Sequence, residues 1–425
     1  QIAEAGVDYY RWHLAHWSSD YYDGNASTST GPYVHQFYDK DGNLVGSYAL
    51  TITPPPSGSS VVKIKSTGTV VADPTISRSI QTTLAIPSLA KYAVAANDVM
   101  RFGAGTEVFG PIHSNNGIRF DGLAHNVITS ALSSYVDPDN GSATRYGVYT
   151  TVGTTDPSPP TAVPSRPDVF MAGRQFPVPT IDFTGMTTDL SAMKTAAQTS
   201  SGRYFSSSGA QGYHIVLKTN DTFDLYKVTS LTSASGSCSN GQSGNWGTWS
   251  IQNQTFVANY AFPANGVIFA DDHLWVDGQI NSARLTIAAG RFPDSSSTWR
   301  SITINSNLLY TNKDGTDVVA LVAQGDINAG LSSSDTLEID AALIAQNGRV
   351  GRYYYASNCG TGYTRSTLTL YGMIATNLRY GFAYTDGTGY QTRNIIYDGN
   401  LLYGPPPNFP LTSSQYSTIS WSEVK

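Results

Sequence analysis

The sequence predicts a mainly β fold: an N-terminal helix, a small antiparallel sheet, and then a β-solenoid (β-helix-like) domain with an inserted loop region. Three observations support this class. Residues 1–17 carry one apolar helical face, and the segment that follows alternates apolar and polar residues as strands do. From residue 87 onward, short apolar triplets recur between Gly, Asn and Asp, as in stacked coils.

The composition indicates an extracellular β-protein. Only 13% of the 425 residues are charged, whereas 40 are Gly and 27 are Tyr, so hydroxyls and amides must keep the surface hydrated. The 25 basic and 31 acidic residues give a net charge of −6 and form no basic run. We therefore expect neither nucleic acid nor an anionic membrane surface as a partner.

The helix is predicted in the segment 1–24. No Ser, Thr, Asp or Asn precedes Ile2 as a cap, so we expect the helix to continue upstream, where about 20 apolar residues would form a membrane-crossing stem. The chain itself contains no apolar run of that length. The apolar face recurs every 3.6 residues, at Ile2, Gly6, Tyr9, Tyr10, His13, Leu14 and Trp17.

The small antiparallel sheet is predicted over residues 25–86. Residues 47–53 and 61–65 alternate as strands with one buried face, and the Asp-Gly turn within 39–43 marks a hairpin. A proline break at 54–56 separates two of the strands.

The solenoid domain is predicted over 87–425, with its clearest coils between 266 and 375. An antiparallel sandwich is the alternative, but few of the joins carry the tight Asn-Gly or Asp-Gly turns that a sandwich needs. Six positions, taken as equivalent, are separated by 19, 17, 17, 18 and 31 residues, a step of roughly 18 with one insertion: Ile268, Ile287, Ile304, Leu321, Ile339 and Leu370.

An insertion is predicted at about 131–265, between two solenoid stretches. It should contain a short helix around 189–198 and a hairpin of 213–218 with 223–228. Inserted loops of this length are frequent places for binding function. The proline-rich tail, about 400–425, is predicted to pack back as an extended clasp.

The two cysteines, Cys238 and Cys359, both lie in loops rich in Gly, Ser and Asn. They could be free thiols, but a disulfide between them would join two long loops and suits an oxidising compartment. We predict the disulfide.

Carboxylates that could serve a polysaccharide-cleaving enzyme are few. Asp271 and Asp272 precede His273 between strands, where adjacent acids are usually just solvated. Glu338 and Asp340 alternate with apolar residues, as outward-facing strand residues do. No basic residue is paired with either set in the sequence, so both are expected to be structural.

Other polar motifs also favour structural roles. His113 and Ser114 are neighbours on a strand and should point to opposite faces, so they cannot share a proton. His13 and His16 lack a third metal ligand. The segment 39–50 begins like a calcium loop but ends at Leu rather than Glu, so a hairpin turn is favoured. No catalytic, cofactor-binding or metal-binding residue is predicted.

Residues 1–10, Gln-Ile-Ala-Glu-Ala-Gly-Val-Asp-Tyr-Tyr, resemble the Ala-Glu-Ala-Gly segment of PilX-type minor pilins, where it follows the hydrophobic stem of the N-terminal helix. Four later stretches look like the β-rich ectodomains that such helices carry in bacterial surface proteins: Phe109-Gly-Pro-Ile-His-Ser-Asn-Asn-Gly-Ile, Leu321-Val-Ala-Gln-Gly-Asp-Ile, Ala342-Leu-Ile-Ala-Gln and Leu370-Tyr-Gly-Met-Ile. The prepilin cleavage site and the Glu near the mature N-terminus of that family are not in this chain.

This resemblance implies a pilin-like helix and sheet, secretion through a type IV pilus system, and a role as a minor pilin or tip adhesin in attachment or pilus assembly. It implies other pilin subunits as partners of the helix, a surface receptor or glycan as partner of the head, and no cofactor. The alternatives are a secreted carbohydrate-active β-helix enzyme and a trimeric phage or fimbrial fibre subunit.

Overall fold

The computed structural model describes residues 1–55, 59–86, 88–141, 143–181, 183, 186–234, 238, 247–411 and 415–424. The chain divides into two compact units. The first comprises Gln1–Leu89, Leu402–Pro405 and Pro410–Lys425, and the second comprises Ala90–Leu401 and Pro406–Phe409. The predicted fold class is confirmed: mainly β, with an N-terminal helix, a small antiparallel sheet and a large sheet of parallel strands.

In the first unit, helix α1 (Ile2–His16) packs on an antiparallel sheet. Four strands follow the helix in the chain, and the C-terminal segment Ser417–Val424 pairs with the fourth. None of the helices in the described residues is long and apolar enough to cross a membrane. The four strands are β1 (Tyr33–Tyr38), β2 (Leu44–Thr53), β3 (Val62–Val70) and β4 (Asp73–Ala85).

The helix lies unusually close to the sheet. A Cβ at Gly68 of β3 would come within 2.6 Å of the backbone N of Ala3, so only a glycine fits there. This contact buries most of the apolar face that the sequence predicts, although Trp17 is 53% exposed. The buried residues of α1 are Ile2, Ala3, Gly6, Val7, Tyr10, His13 and Leu14.

α1 ends at His16, short of the predicted bound at residue 24. The carboxylate of Asp20 accepts hydrogen bonds from the backbone N–H groups of Tyr22 (2.9 Å) and Gly24 (2.7 Å). An acceptor that bonds these nearby N–H groups stabilises a turn in place of a further helical turn.

The second unit consists mostly of short strands that pair in parallel, together with helix α2 (Met186–Ala197). Its strands are β5 (Val94–Ala96), β6 (Met100–Phe102), β7 (Thr106–Phe109), β8 (Ile112–Ser114), β9 (Ile118–Phe120), β10 (Leu123–Ala124), β11 (Ile128–Ser130), β12 (Ser134–Val136), β13 (Thr144–Tyr146), β14 (Val148–Tyr149), β15 (Arg174–Gln175), β16 (Arg203–Phe205), β17 (Gly212–Leu217), β18 (Thr222–Leu231), β19 (Ile251–Ala261), β20 (Val267–Ala270), β21 (Leu274–Ile280), β22 (Arg284–Ala289), β23 (Ile302–Thr303), β24 (Leu308–Tyr310), β25 (Val318–Ala323), β26 (Ile327–Ala329), β27 (Thr336–Ala345), β28 (Val350–Arg352), β29 (Thr364–Thr376) and β30 (Gly389–Tyr397). The C-terminal strand of the first unit is β31 (Ser417–Val424).

The core of this unit is built from columns of apolar side chains, one from each coil. In one column, every member is fully buried and stacks on the next through parallel register, which removes apolar surface from water without any tight turn. This column runs through Ile268, Ile287, Leu321, Leu343, Ile374, Val94, Ile112 and Ile128.

The predicted uniform step of roughly 18 residues is wrong. Between positions 268, 287, 321, 343 and 374 of this column, the steps are 19, 34, 22 and 31 residues. Ile339 lies in another column, opposite Leu308 and Leu370, and the N–H of Ile304 bonds to the carbonyl of Asn328. Each coil has strands on more than one face, so an even spacing in sequence combines triplets that belong to different columns.

The order of the coils differs from the order of the chain. β5 and β30, the first and last strands of the second unit, both pair with β29 and are therefore neighbours. The Tyr397 hydroxyl donates a hydrogen bond of 2.6 Å to the carbonyl of Ala90 beside them. A unit whose entry and exit lie together can be inserted between two neighbouring strands, and β4 and β31 are such a pair.

The predicted insertion, 131–265, contributes strands to the parallel stack, although β12 and β13 form a separate antiparallel pair. β15 pairs with β11 in parallel, and β16 and β17 pair with β20 and β21. The predicted hairpin is present as β17 and β18, and β19 extends it; the predicted short helix is α2. Strands as short as β15 and β16 contain too few residues to show an alternation of apolar and polar side chains, so the sequence predicts a loop region here.

The C-terminal segment, about 400–425, also differs from the prediction in its structure and in the unit to which it belongs. Residues 400–425 were expected to form an extended clasp of the solenoid domain, but β31 is a regular strand of the first unit. The prolines that exclude regular structure end at Pro410, and the polar and apolar residues after Tyr416 alternate well enough for an edge strand.

Candidate functional site

The two cysteines are joined. Cys238 and Cys359 form a disulfide across 121 residues of sequence, as predicted. Cys359 is buried with Leu331, Tyr353 and Tyr355. Most of the loop around Cys238 lies outside the described residues.

The acidic pair before His273 is held by neighbours. Lys194 binds both carboxylate oxygens of Asp271, at 2.7 and 2.8 Å, and Asp272 accepts 2.7 Å hydrogen bonds from the N–H and hydroxyl of Ser208. Burial lowers the pKa of His273 to about 4, so the ring is neutral at pH 7. No sequence pattern connects Lys194 with Asp271, because the two residues are 77 positions apart.

The pair at Glu338 and Asp340 differs from the prediction at one member. Both carboxylates contact Lys313, at 3.0 and 2.8 Å, but the Asp340 side chain is 1% exposed instead of facing outward. Burial raises the pKa of Asp340. Asp340 also accepts a 2.9 Å hydrogen bond from the backbone N–H of Tyr310, so the segment that carries Lys313 covers this side chain.

The other motifs have structural partners as well. His113 bonds to Thr129 (2.9 Å), whereas the Ser114 hydroxyl donates to the carbonyl of Asp98 (2.8 Å), so the two side chains point apart. His13 contacts Asp20 at 2.9 Å. No group of three or more metal-ligating side chains occurs among the described residues.

The predicted hairpin turn in place of a calcium loop agrees with the contacts of Asp39. Its Oδ1 accepts hydrogen bonds from the backbone N–H groups of Asp41 (2.9 Å) and Asn43 (2.8 Å). These bonds close the turn between β1 and β2.

A polar cleft of about 730 Å³ in the second unit is the candidate binding site. Its walls come from the segments 101–106 and 379–393, with further residues from 121–152. We call it the arginine cleft because its charged lining, within the described residues, consists of Arg101, Arg349, Arg379, Arg393, Asp121 and Asp139.

Two of these arginines share one carboxylate. Oδ2 of Asp139 contacts Nη2 of Arg379 directly and lies 3.7 Å from Nη1 of Arg101, beyond hydrogen-bond distance. The hydrogen bond from Arg379 lowers the pKa of the Asp139 carboxyl. The side chains of Arg101 and Arg379 are 23% and 35% exposed, so both reach the solvent of the cleft.

The charge of the other aspartate in the lining, Asp121, is neutralised by a neighbouring arginine. Asp121 accepts hydrogen bonds from Nε of Arg119 (2.7 Å) and from the backbone N–H of Thr151 (2.8 Å). Its charge therefore does not cancel that of the four arginines in the lining.

Arg393 holds one wall in place. It is only 6% exposed, and it donates to the carbonyl oxygens of Ala104 and Gln391 and to the Thr106 hydroxyl. No carboxylate pairs with it among the described residues, and burial lowers its pKa. The guanidinium thus ties two segments of the cleft together and adds an uncompensated positive charge.

Tyr384 forms an aromatic lip on a tight turn. Its hydroxyl accepts from Nη2 of Arg349 and donates to the carbonyl of Arg352, both at 2.7 Å. The turn closes through a 3.0 Å bond from the Tyr384 N–H to the Thr388 carbonyl, and Gly387 supplies the left-handed conformation that it needs (φ +84°). The ring is therefore fixed before any ligand arrives.

Sequence reasoning did not find this site. Its arginines are up to 292 positions apart, and they meet because β30 pairs with β7. No periodicity or motif connects them. The nearest signal is the Gly- and Tyr-rich segment 380–390, which has turn chemistry without strand alternation.

Comparisons with known proteins give little further guidance. No protein-family model matches the chain, and no curated protein matches its sequence. Among solved structures, it is similar to the competence-associated pilin ComZ from Thermus thermophilus, with a TM-score of 0.33 and 13% identity over 99% of this chain and 96% of that chain. A similarity of this size carries no functional argument by itself.

Proposed function

We propose that this chain is a non-enzymatic, pilin-like protein of the extracellular cell surface, a minor pilin or tip adhesin that acts in attachment or pilus assembly. The observation that carries the proposal is the first unit: an N-terminal helix packed on an antiparallel sheet, with the second unit inserted between two neighbouring strands of that sheet. Such an insertion connects the larger unit to the helix-and-sheet unit through the chain at both of its ends.

The outer face of α1 supports a role in assembly. Trp12 and Trp17 are 51% and 53% exposed and meet edge to face at 5.8 Å between ring centroids. Exposed aromatic pairs of this kind are enriched where proteins meet. In the proposal, this face contacts other pilin subunits.

The acidic residues support a non-enzymatic role. General acid–base catalysis needs a carboxyl group that reaches the substrate. Asp271 is bound by Lys194, and Asp340 is 1% exposed. Asp139 lines the cleft, but the hydrogen bond from Arg379 lowers its pKa and makes it a weak general base. A polysaccharide turnover that is lost in Asp272→Asn would contradict this part and favour the carbohydrate-active enzyme.

Fractionation of surface filaments tests the proposal. Filaments sheared from cells that express the full gene are sedimented and probed for the chain. We expect it in the filament fraction, and we expect it to be missing from that fraction in a strain without the major pilin. Equal release into the medium by both strains would contradict the proposal.

Variants on α1 make the test specific. The double variant Trp12→Ser, Trp17→Ser should fold, since both side chains lie at the surface and are about half exposed, but it should fail to enter filaments. Arg11→Ser, an exposed neighbour on the same helix, is the matched control and should enter them normally. Incorporation of the double variant at the control level would exclude this face as the contact.

A further inference from the structure

We propose that the arginine cleft binds a carboxylated saccharide, a chain of sugar units in which carboxylates accompany hydroxyls, as in uronic acids. This inference rests on the proposed role in attachment, because it names the chemistry of the surface to which the protein would attach. Three features of the cleft support it: spare guanidinium donors, an uncompensated buried charge, and a carboxylate acceptor beside an aromatic lip.

The spare donors belong to Arg101 and Arg379. Each guanidinium has five N–H donors in a planar fork, yet the two share the single carboxylate of Asp139, and Arg101 is 3.7 Å from it. Both side chains are partly exposed toward the cleft. A planar carboxylate is the group that such a fork binds through two parallel hydrogen bonds.

The buried charge belongs to Arg393. Its donors are used by carbonyl oxygens and by Thr106, so it cannot grasp a ligand, but no carboxylate neutralises it among the described residues. An anion in the cleft would supply that missing charge. The cleft is therefore positive within a protein whose net charge is −6, which makes it a local site rather than part of a basic surface.

The acceptor distinguishes a sugar acid from a phosphodiester. Asp139 lies in the lining beside the arginines, and its Oδ1 can accept a hydrogen bond from a hydroxyl. A phosphodiester backbone offers no donor to this oxygen. A uronate offers a carboxylate to the arginines and a hydroxyl to Asp139.

The size and lip of the cleft fit the same ligand. A volume of about 730 Å³ lies in the range of sites that enclose a small-molecule ligand, here a short oligosaccharide. The fixed ring of Tyr384 offers a flat apolar face against which the C–H face of a sugar can pack. Neither feature selects a particular order of sugar units, so the proposal names the class of carboxylated saccharides and no individual oligosaccharide.

Isothermal titration calorimetry with three probes at physiological salt tests the inference on the purified chain. The probes are trigalacturonate, the neutral α-1,4-galactotriose, and a short single-stranded oligothymidylate. We expect trigalacturonate to bind about tenfold or more tightly than either of the others, since the neutral sugar lacks the carboxylates and the oligonucleotide lacks the hydroxyl pattern. Equal binding of the neutral sugar, preferential binding of the oligonucleotide, or no binding of trigalacturonate would overturn the inference.

Two variants locate the binding. Arg101→Gln, which breaks no hydrogen bond within the described residues, should weaken trigalacturonate binding by about tenfold and leave thermal unfolding unchanged. Arg78→Gln, on the exposed surface of the first unit, is the control and should bind like the wild type. Unchanged affinity in Arg101→Gln would overturn the assignment to this cleft.

Binding and filament fractionation are independent measurements. Failure of calorimetry leaves the distribution of the chain between filaments and medium unaffected. Conversely, loss of the chain from filaments would contradict the proposed function without changing the affinity of the purified protein.

Discussion

At the scale of single residues, lysine side chains neutralise the carboxylates of the second unit that the sequence offers as catalytic candidates. Asp271 has Lys194, Asp340 has Lys313, and each pair is less than 3 Å apart. Such pairs leave the carboxylates fixed and charged, or buried beyond reach of a ligand, which is a structural role. Arg393 and Arg352 are exceptions, because both are buried and donate to carbonyl oxygens without a paired carboxylate among the described residues.

His273 makes the stability of the protein pH-dependent. Its neutral Nδ1 accepts a 3.1 Å hydrogen bond from the Ser301 N–H, and burial lowers its pKa from 6.5 to about 4. The unfolded chain therefore binds a proton that the folded chain excludes as pH falls from 6.5 to 4. We expect the free energy of unfolding to fall by up to about 3 kcal/mol in that window, measured by urea unfolding.

The variant His273→Gln isolates this effect. Because Gln does not titrate, the fall between pH 6.5 and 4 should be smaller in this variant than in the wild type. Equal pH dependence in His273→Gln and the wild type would contradict the account of His273.

At the scale of elements, local patterns predicted most of the pieces. The hairpin of β17 and β18, helix α2 and the two-cysteine bridge depend on turn chemistry, periodicity and loop context, which the sequence contains. The coil register could not be predicted, because parallel pairing joins strands across connections of variable length. The cleft could not be predicted for the same reason, since its arginines meet only through that pairing.

The stacked columns predict a sharp difference between two leucines. Leu321 is fully buried between Ile287 and Leu343, so Leu321→Ala should leave a cavity and lower the free energy of unfolding by about 2–5 kcal/mol. Leu378→Ala removes the same atoms at a site that is 47% exposed, and should change it by about 0.5 kcal/mol or less. Urea unfolding measures both. Similar losses in the two variants would show that Leu321 is not in the core.

The close packing of α1 on the sheet makes a second prediction. In Gly68→Ala, the new Cβ would press on the backbone N of Ala3 at 2.6 Å, so helix or strand must shift, at a cost of roughly 1–3 kcal/mol. Gly381→Ala adds the same group in open space and is the matched control. Thermal unfolding should separate the two variants. An unaffected Gly68→Ala would mean that the helix does not approach the sheet this closely.

At the scale of the whole molecule, the chain passes four times between the two units, after residues 89, 401, 405 and 409. The second unit begins and ends in neighbouring strands, because β5 and β30 both pair with β29. In the chain, it lies between β4 and β31 of the first unit. The sequence predicted the helix, the sheet and the coils as consecutive domains, because β31 has no signal that assigns it to a sheet more than 300 residues earlier. This arrangement is the basis of the proposal that the second unit is displayed by a pilin-like base.

Immunogold electron microscopy tests that proposal most directly. Antibodies against the second unit, applied to intact cells that express the full gene, should label surface filaments, and the label should disappear from a strain that lacks the major pilin. Label that remains evenly on the cell envelope of that strain, or that never coincides with filaments in the wild type, would contradict the pilus-associated function.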